Sequence, residues 1–143
     1  MPTILITGSN RGIGLAFAQH CASIGWRVIA CCRDPASAVE LGRVPGDVQV
    51  HALDVSDQAS IDALGRDLGA MPIDILVNNA GVSGRAGQQF GSIDEAAWEQ
   101  AFRVNAIAPI KLAEALIGHI ERGDRRLIVC MTSRMGSIAE APG

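Results

Sequence analysis

Apolar and polar positions alternate between two rhythms along the chain. Short unbroken apolar runs that end in Gly, Asn or Asp predict strands buried on both faces. Between them lie longer stretches with apolar residues every three or four positions, which predict amphipathic helices. "TILIT" (Thr3–Thr7) is the first strand. "IGLAFAQHCASIGW" is the first helix, with Leu15, Ala18 and Ala22, and Phe17, Cys21 and Ile24, at helical spacing and Gly25 as its stop. "RVIACC" and "VQVHALDV" predict the second and third strands. "SDQASIDALGRDLG" predicts a helix capped by Ser56 or Asp57, with a stripe of Ile61, Leu64 and Leu68. "DILVNNAG" predicts the fourth strand and "RRLIVCMTS" the fifth. Between these two, "DEAAWEQAFRVNAIAPIKLAEALIGHIERG" predicts a long helix with a stripe of Ile110, Ala113, Leu116 or Ile117, and Ile120. Pro109 forces a kink or a break in it. The Gly-rich segment Ser83–Ser92 is a polar loop of a length that often carries function.

Strands alternating with helices imply parallel pairing and right-handed crossovers. The expected fold is therefore α/β, a doubly wound parallel sheet of the Rossmann type with strand order 3-2-1-4-5. Residues 1–143 form a single dinucleotide-binding domain in this reading, with its ligand at the carboxyl ends of the strands.

Composition narrows the partners. A length of 143 residues fits one domain, and 48% apolar residues suffice for a core. Aromatics are 3%, so that core must be aliphatic. The net charge of -3 argues against nucleic acid. No stretch is long and apolar enough to span a bilayer, and the start lacks a basic region before its apolar run. A cytoplasmic protein is expected. Cys21, Cys31, Cys32 and Cys130 show no metal spacing and read as small buried hydrophobes in a reducing compartment. His20, His51 and His119 share no ligand spacing, so no metal is expected.

Gly8, Gly12 and Gly14 lie between a predicted strand and a predicted helix. Glycine there permits positive φ and close approach of backbone to a ligand. The helix N-terminus adds free N–H groups suited to a pyrophosphate. The spacing, GxxxGxG, is neither the GxGxxG fingerprint nor a P-loop. As "TGSNRGIG" the segment resembles the short-chain dehydrogenase/reductase family, with Ser9, Asn10, Arg11 and Ile13 completing the loop. Four further segments follow in the family's order. "LDVSD" puts Asp54, followed by Val55, where the family's acid contacts the adenine. "NNAG" supplies Asn79, Ala80 and Gly81. "FRVNAIAP" puts Asn105 at the family's catalytic-site Asn, and "IVCMTSRMGS" puts Ser133 at its catalytic Ser. The resemblance covers essentially the whole chain, and "MTSRMGSI" also looks like the C-factor-like subgroup near the carbonyl reductases.

The resemblance implies a nicotinamide cofactor. The second strand ends "ACCRD", where an acid would bond a ribose 2′-OH and favour NAD. Arg33 comes first there, and Arg11 lies in the glycine loop, a pairing that resembles the NADP pattern. Two guanidiniums can grip a 2′-phosphate. Asp34 turned inward would favour NAD instead. NADP is expected, with NAD possible.

In the family, reduction of a carbonyl to an alcohol uses a Ser to bond the substrate oxygen, a Tyr to give the proton and a Lys to lower the Tyr pKa. Ser133 and Asn105 match the Ser and the relay Asn, but the sequence has no tyrosine, and its one lysine, Lys111, precedes the Ser strand. Taken alone, Ser133 could equally cap a strand end, and Asn105 could bond a neighbouring carbonyl. The family's Tyr and Lys follow the Ser strand, just past Gly143. The chain is therefore expected to be the N-terminal part of a longer domain, an NADP-dependent carbonyl/alcohol oxidoreductase; the resemblance implies a homo-oligomeric parent, since the family often pairs through the Asn105–Arg122 helix and the helix that carries Tyr and Lys, of which this sequence has only the first. The alternative is a non-catalytic NADP-binding module with a signalling or regulatory role. A sugar-nucleotide epimerase is disfavoured by the glycine spacing, and a receiver-like protein by the glycine loop.

Overall fold

The computed structural model describes residues 1–83, 88–133, 136, 137 and 139. Five strands form one parallel sheet: β1 (Thr3–Thr7), β2 (Arg27–Cys32), β3 (Val48–Ala52), β4 (Ile75–Asn78) and β7 (Leu127–Cys130). A two-stranded hairpin, β5 (Gln88–Gln89) and β6 (Ser92–Ile93), stands apart. The order β3-β2-β1-β4-β7 is the expected 3-2-1-4-5 once the hairpin is set aside. β1 is central and buried throughout. Its Ile4 aligns with Val28 on one side and Ile75 on the other. The chain order reverses across β1 and β4, and their carboxyl ends open a crevice there.

Successive strand residues point to opposite faces, and two cores result. On one face Leu5, Ile29 and Leu76 pack with Ile61, Leu64 and Leu68 of α2 (Gln58–Leu68) and with Leu112, Leu116 and Ile120 of α4 (Ala108–Glu121). On the other, Ile4, Ile6, Val28 and Val77 pack with Leu15, Ala18, Cys21 and Ala22 of α1 (Gly12–Ser23). Asp57 caps α2, its carboxylate accepting from the Ala59 N–H at 3.0 Å.

Several expectations need correction. On α1 the buried arc runs through Leu15, Ala18, Cys21 and Ala22; Phe17 lies on its flank, 36% exposed, and Ile24 is already the C-cap. On α4 the seam is Ala108, Leu112, Leu116, His119 and Ile120. Ile110 and Ile117 face the other way. The break in the long helix falls before Pro109. α3 (Glu95–Phe102) runs into a π-helical turn, Arg103–Ile107, and Pro109 then sits in the first turn of α4. Proline has no N–H for the carbonyl four residues back, that of Asn105, so the ladder changes pitch upstream of the ring. Of the four cysteines, three are buried, but Cys130 is exposed. Among the described residues no helix is long and apolar enough to cross a membrane.

Candidate cofactor and active site

The crevice is a cavity of about 820 Å³ at the carboxyl ends of the strands. Four loops wall it: the glycine loop after β1, the turn after β2, the Leu53–Val55 segment after β3, and the Asn79–Gly81 segment after β4. β1 hands directly into the glycine loop, where Gly8 and Gly12 take the left-handed conformation with φ of 67° and 56°. Gly14 serves by its lack of a side chain: a Cβ there would lie 2.3 Å from the Gly8 carbonyl oxygen and 2.6 Å from the Asn79 amide nitrogen. The loop thus folds flat onto the start of α1, whose first N–H groups face the crevice end of the sheet.

Thr7 and Asn79 stitch this loop to the end of β4. The Thr7 hydroxyl accepts from the backbone N–H groups of Asn79 at 3.0 Å and Ala80 at 2.9 Å. The Asn79 amide donates back to the carbonyls of Thr7 at 2.9 Å and Gly8 at 3.1 Å. Thr7 itself is missing from the sequence-derived set. Its signal was present, a hydroxyl as the last residue of a strand, but the bonds span more than seventy positions of chain.

Gly8, Asn10, Arg11, Gly12, Ile13, Arg33, Asp54, Val55, Asn79, Ala80 and Gly81 all line the cavity. Ser9, Gly14, Asn105 and Ser133 do not. Ser9 is fully buried, its hydroxyl donating to the Ile6 carbonyl at 2.7 Å and its N–H to the Cys31 carbonyl at 2.9 Å, so it anchors the loop from beneath. Cys32, Ser37, Val82, Gln100 and Val104 line the cavity without having been expected there. They carry no motif, and only the tertiary fold brings them in.

Asp34, in the turn after β2, also lines the cavity. Its carboxylate accepts from the N–H groups of Ala36 at 3.1 Å and Ser37 at 3.4 Å, capping a short helical turn, Pro35–Ser37. Asp54 is held by Ser56, whose hydroxyl and N–H donate to one carboxylate oxygen at 2.6 and 2.9 Å. These bonds lower its pKa, against burial, with help from the charge of Arg33.

Behind the cavity-lining Val82 and Val104, the π turn carries Asn105. Its side chain clips Val82 by two bonds, accepting from the Val82 N–H at 3.0 Å and donating to the Val82 carbonyl at 2.8 Å. This ties the β4 loop to the long helix. Ser133 lies three residues past β7, and its carbonyl accepts from the Gly136 N–H at 2.9 Å. Positions 134, 135, 138 and 140–143 of the terminal segment, and 84–87 of the Gly-rich loop, lie outside the described residues. Lys111 is exposed and pairs with Glu114 at 3.1 Å.

Comparison with known proteins agrees with this architecture. The short chain dehydrogenase family model matches residues 2–142. Protein FixR of Bradyrhizobium diazoefficiens is 34% identical over 94% of this chain and 51% of its own length. Galactitol 2-dehydrogenase of Agrobacterium fabrum is 38% identical over 96% of this chain and 54% of its own. The C-signal protein of Myxococcus xanthus is 40% identical over 48% of this chain and 40% of its own. Among solved structures, an NADPH-bound carbonyl reductase from chicken fatty liver superposes with a TM-score of 0.86 at 30% identity, covering 97% of this chain and 62% of that one. The chain spans about half the length of the first curated relatives it matches. The glycine loop, the strand order and the match along nearly the whole length together place the chain in the short-chain dehydrogenase/reductase family.

Proposed function

We propose that the chain is the cofactor-binding part of an NADP-dependent oxidoreductase that interconverts a small-molecule carbonyl and alcohol. One observation carries the choice of NADP. Arg11 and Arg33 both line the cavity; Asp34 lines it too, but one of its carboxylate oxygens caps its own turn. Two guanidiniums beside one partly engaged carboxylate suit a 2′-phosphate. The NADPH in the chicken carbonyl reductase supports the same choice.

The residues present fit such a cofactor. The open space at Gly12, and the close packing of the loop that Gly8 and Gly14 permit, support a pyrophosphate against the N-terminus of α1. Asp54 lines the cavity with its pKa lowered by the bonds from Ser56, and in this reading it accepts a hydrogen bond from the adenine amino group. Asn79, Ala80 and Gly81 form the wall toward the nicotinamide end. When bound, the cofactor supplies hydride chemistry. Ser133 orients a substrate oxygen by hydrogen bonding, and Asn105 fixes the Val82 backbone at the edge of the cavity.

The sequence has no tyrosine to give the proton. The expected behaviour of the 143-residue chain is therefore NADPH binding without turnover, with the proton donor supplied by a longer parent. In that parent, Ile110 and Ile117 on the outer face of α4 support pairing of two copies through this helix. Fluorescence titration of NADPH and NADH tests the cofactor. Arg33→Asp is expected to weaken NADPH binding by about tenfold or more and NADH binding little, the loss of one charge-assisted pair. Equal losses for both nucleotides would remove Arg33 from the phosphate site.

A further inference from the structure

Past the end of β3 the cavity has apolar walls. Leu53 and Val55 line it from the segment after β3, and Val104 lines it from the π turn. The three are 3%, 9% and 6% exposed and belong to one core cluster, so packing fixes the walls in place. Two polar side chains that line the cavity adjoin these walls along the chain: Asp54, between Leu53 and Val55, and Gln100, four positions before Val104. Of the eight residues of α3, Gln100 alone lines the cavity.

Both side chains have hydrogen-bonding capacity to spare. The two bonds from Ser56 enter one Asp54 oxygen, and among the described residues the second oxygen has no partner. Asp54 has a pKa below its ordinary value, so at neutral pH it is an acceptor. The Gln100 carboxamide is exposed and has no partner among the described residues. It offers an acceptor, Oε1, beside a donor, Nε2.

We infer that Gln100 reads the base of the bound dinucleotide, its carboxamide meeting the Watson–Crick edge of adenine while Asp54 takes one hydrogen of the amino group. The inference rests on the reading of this cavity as a nicotinamide dinucleotide site, and it does not need the 2′-phosphate. The adenine amino group has two hydrogens, and a single carboxylate oxygen accepts one. The other hydrogen and the ring acceptor beside it form a donor–acceptor pair, to which a carboxamide is complementary. Asp54 sets the polarity of this edge, because its charge repels a base that carries a carbonyl oxygen in place of the amino group. Gln100 then adds affinity for the base that Asp54 selects.

The test pairs two ligands with two proteins. NADP+ and 1,N6-etheno-NADP+, whose two-carbon bridge removes the Watson–Crick edge, are titrated calorimetrically into the 143-residue chain and into Gln100→Leu. Gln100→Leu should weaken NADP+ binding about fivefold, the loss of one net hydrogen bond, and leave etheno-NADP+ binding unchanged. Equal weakening of both ligands, or of neither, would overturn the role of Gln100. If Gln100→Leu does not fold, Gln100→Ala is read against the same outcomes. A wild-type chain that binds neither NADP+ nor NAD+ would overturn the cofactor reading and this inference with it. A wild-type chain that binds NAD+ alone would overturn only the 2′-phosphate reading, and NAD+ against 1,N6-etheno-NAD+ then decides the role of Gln100 in the same way.

Discussion

Asp74 shows how much a single side chain organises here. It is 6% exposed, yet carries a carboxylate. One oxygen accepts from the Thr3 N–H at 2.7 Å, the other from the N–H groups of Asp124 at 3.0 Å and Arg125 at 3.2 Å. Its own backbone donates to the Thr3 carbonyl and accepts from the Leu127 N–H. One residue therefore joins the entries to β1, β4 and β7. Burial pushes the carboxyl pKa up, but the three N–H donors, with the charge of Arg125, outweigh it and leave the pKa below the ordinary value. A depressed folded-state pKa contributes stability above the unfolded value, about pH 4, and loses it as pH falls through the folded value. Asp74→Ala should cost about 3 kcal/mol at neutral pH, measured by urea unfolding, because buried N–H groups lose their acceptor. The gap between wild type and variant should narrow as pH falls below the ordinary carboxylate value and through the lowered folded-state one. A constant gap across that range would mean the carboxylate charge is not its source. The sequence showed Asp74 only as the polar residue before an apolar run. Its partners lie 71 and about 50 positions away, and no local pattern records them.

At the scale of elements, legibility followed how local the cause was. The strand runs and the Ile61, Leu64 and Leu68 stripe depend on neighbours within a turn or two, and the sequence reading located them; it narrowed the cap to Ser56 or Asp57, of which the structure uses Asp57. The α4 stripe was misplaced because that helix has apolar residues on two sides, and periodicity alone does not say which side meets the sheet. The π turn was legible as an interruption, since Pro109 announces one, but not as a widening around Asn105. In the glycine loop the three glycines are needed for different reasons. Gly12→Ala adds a Cβ with nothing within 4 Å, so the cost is the left-handed φ alone, about 1–2 kcal/mol. Gly14→Ala drives its Cβ into the Gly8 carbonyl and the Asn79 amide, both already bonded in place. The loop must open. NADPH titration should find Gly12→Ala weakened but measurable and Gly14→Ala without saturable binding. Equal binding by the two variants would contradict the steric role of Gly14.

For the whole molecule, the distribution of uncovered apolar surface matters most. Among the described residues of this chain β7 is an end strand of the sheet, and its four residues are all exposed, with Leu127, Ile128 and Val129 at 49%, 43% and 38%. Since neighbours along a strand point oppositely, both faces of β7 are bare as well as its edge. An apolar edge of this kind templates open-ended association. The outer face of α4 is different: Ile110 and Ile117, 63% and 48% exposed, form a patch on a rigid helix that a symmetric partner can close. The two surfaces should give separable behaviour in sedimentation velocity. Ile117→Lys should remove a discrete dimer and leave slow, concentration-dependent growth of larger species. Val129→Lys should suppress that growth and leave the dimer, because a charge on an edge strand opposes further strand addition without touching α4. If Val129→Lys also abolished the dimer, pairing would run through the sheet edge, and the helix-mediated dimer would be lost as an explanation.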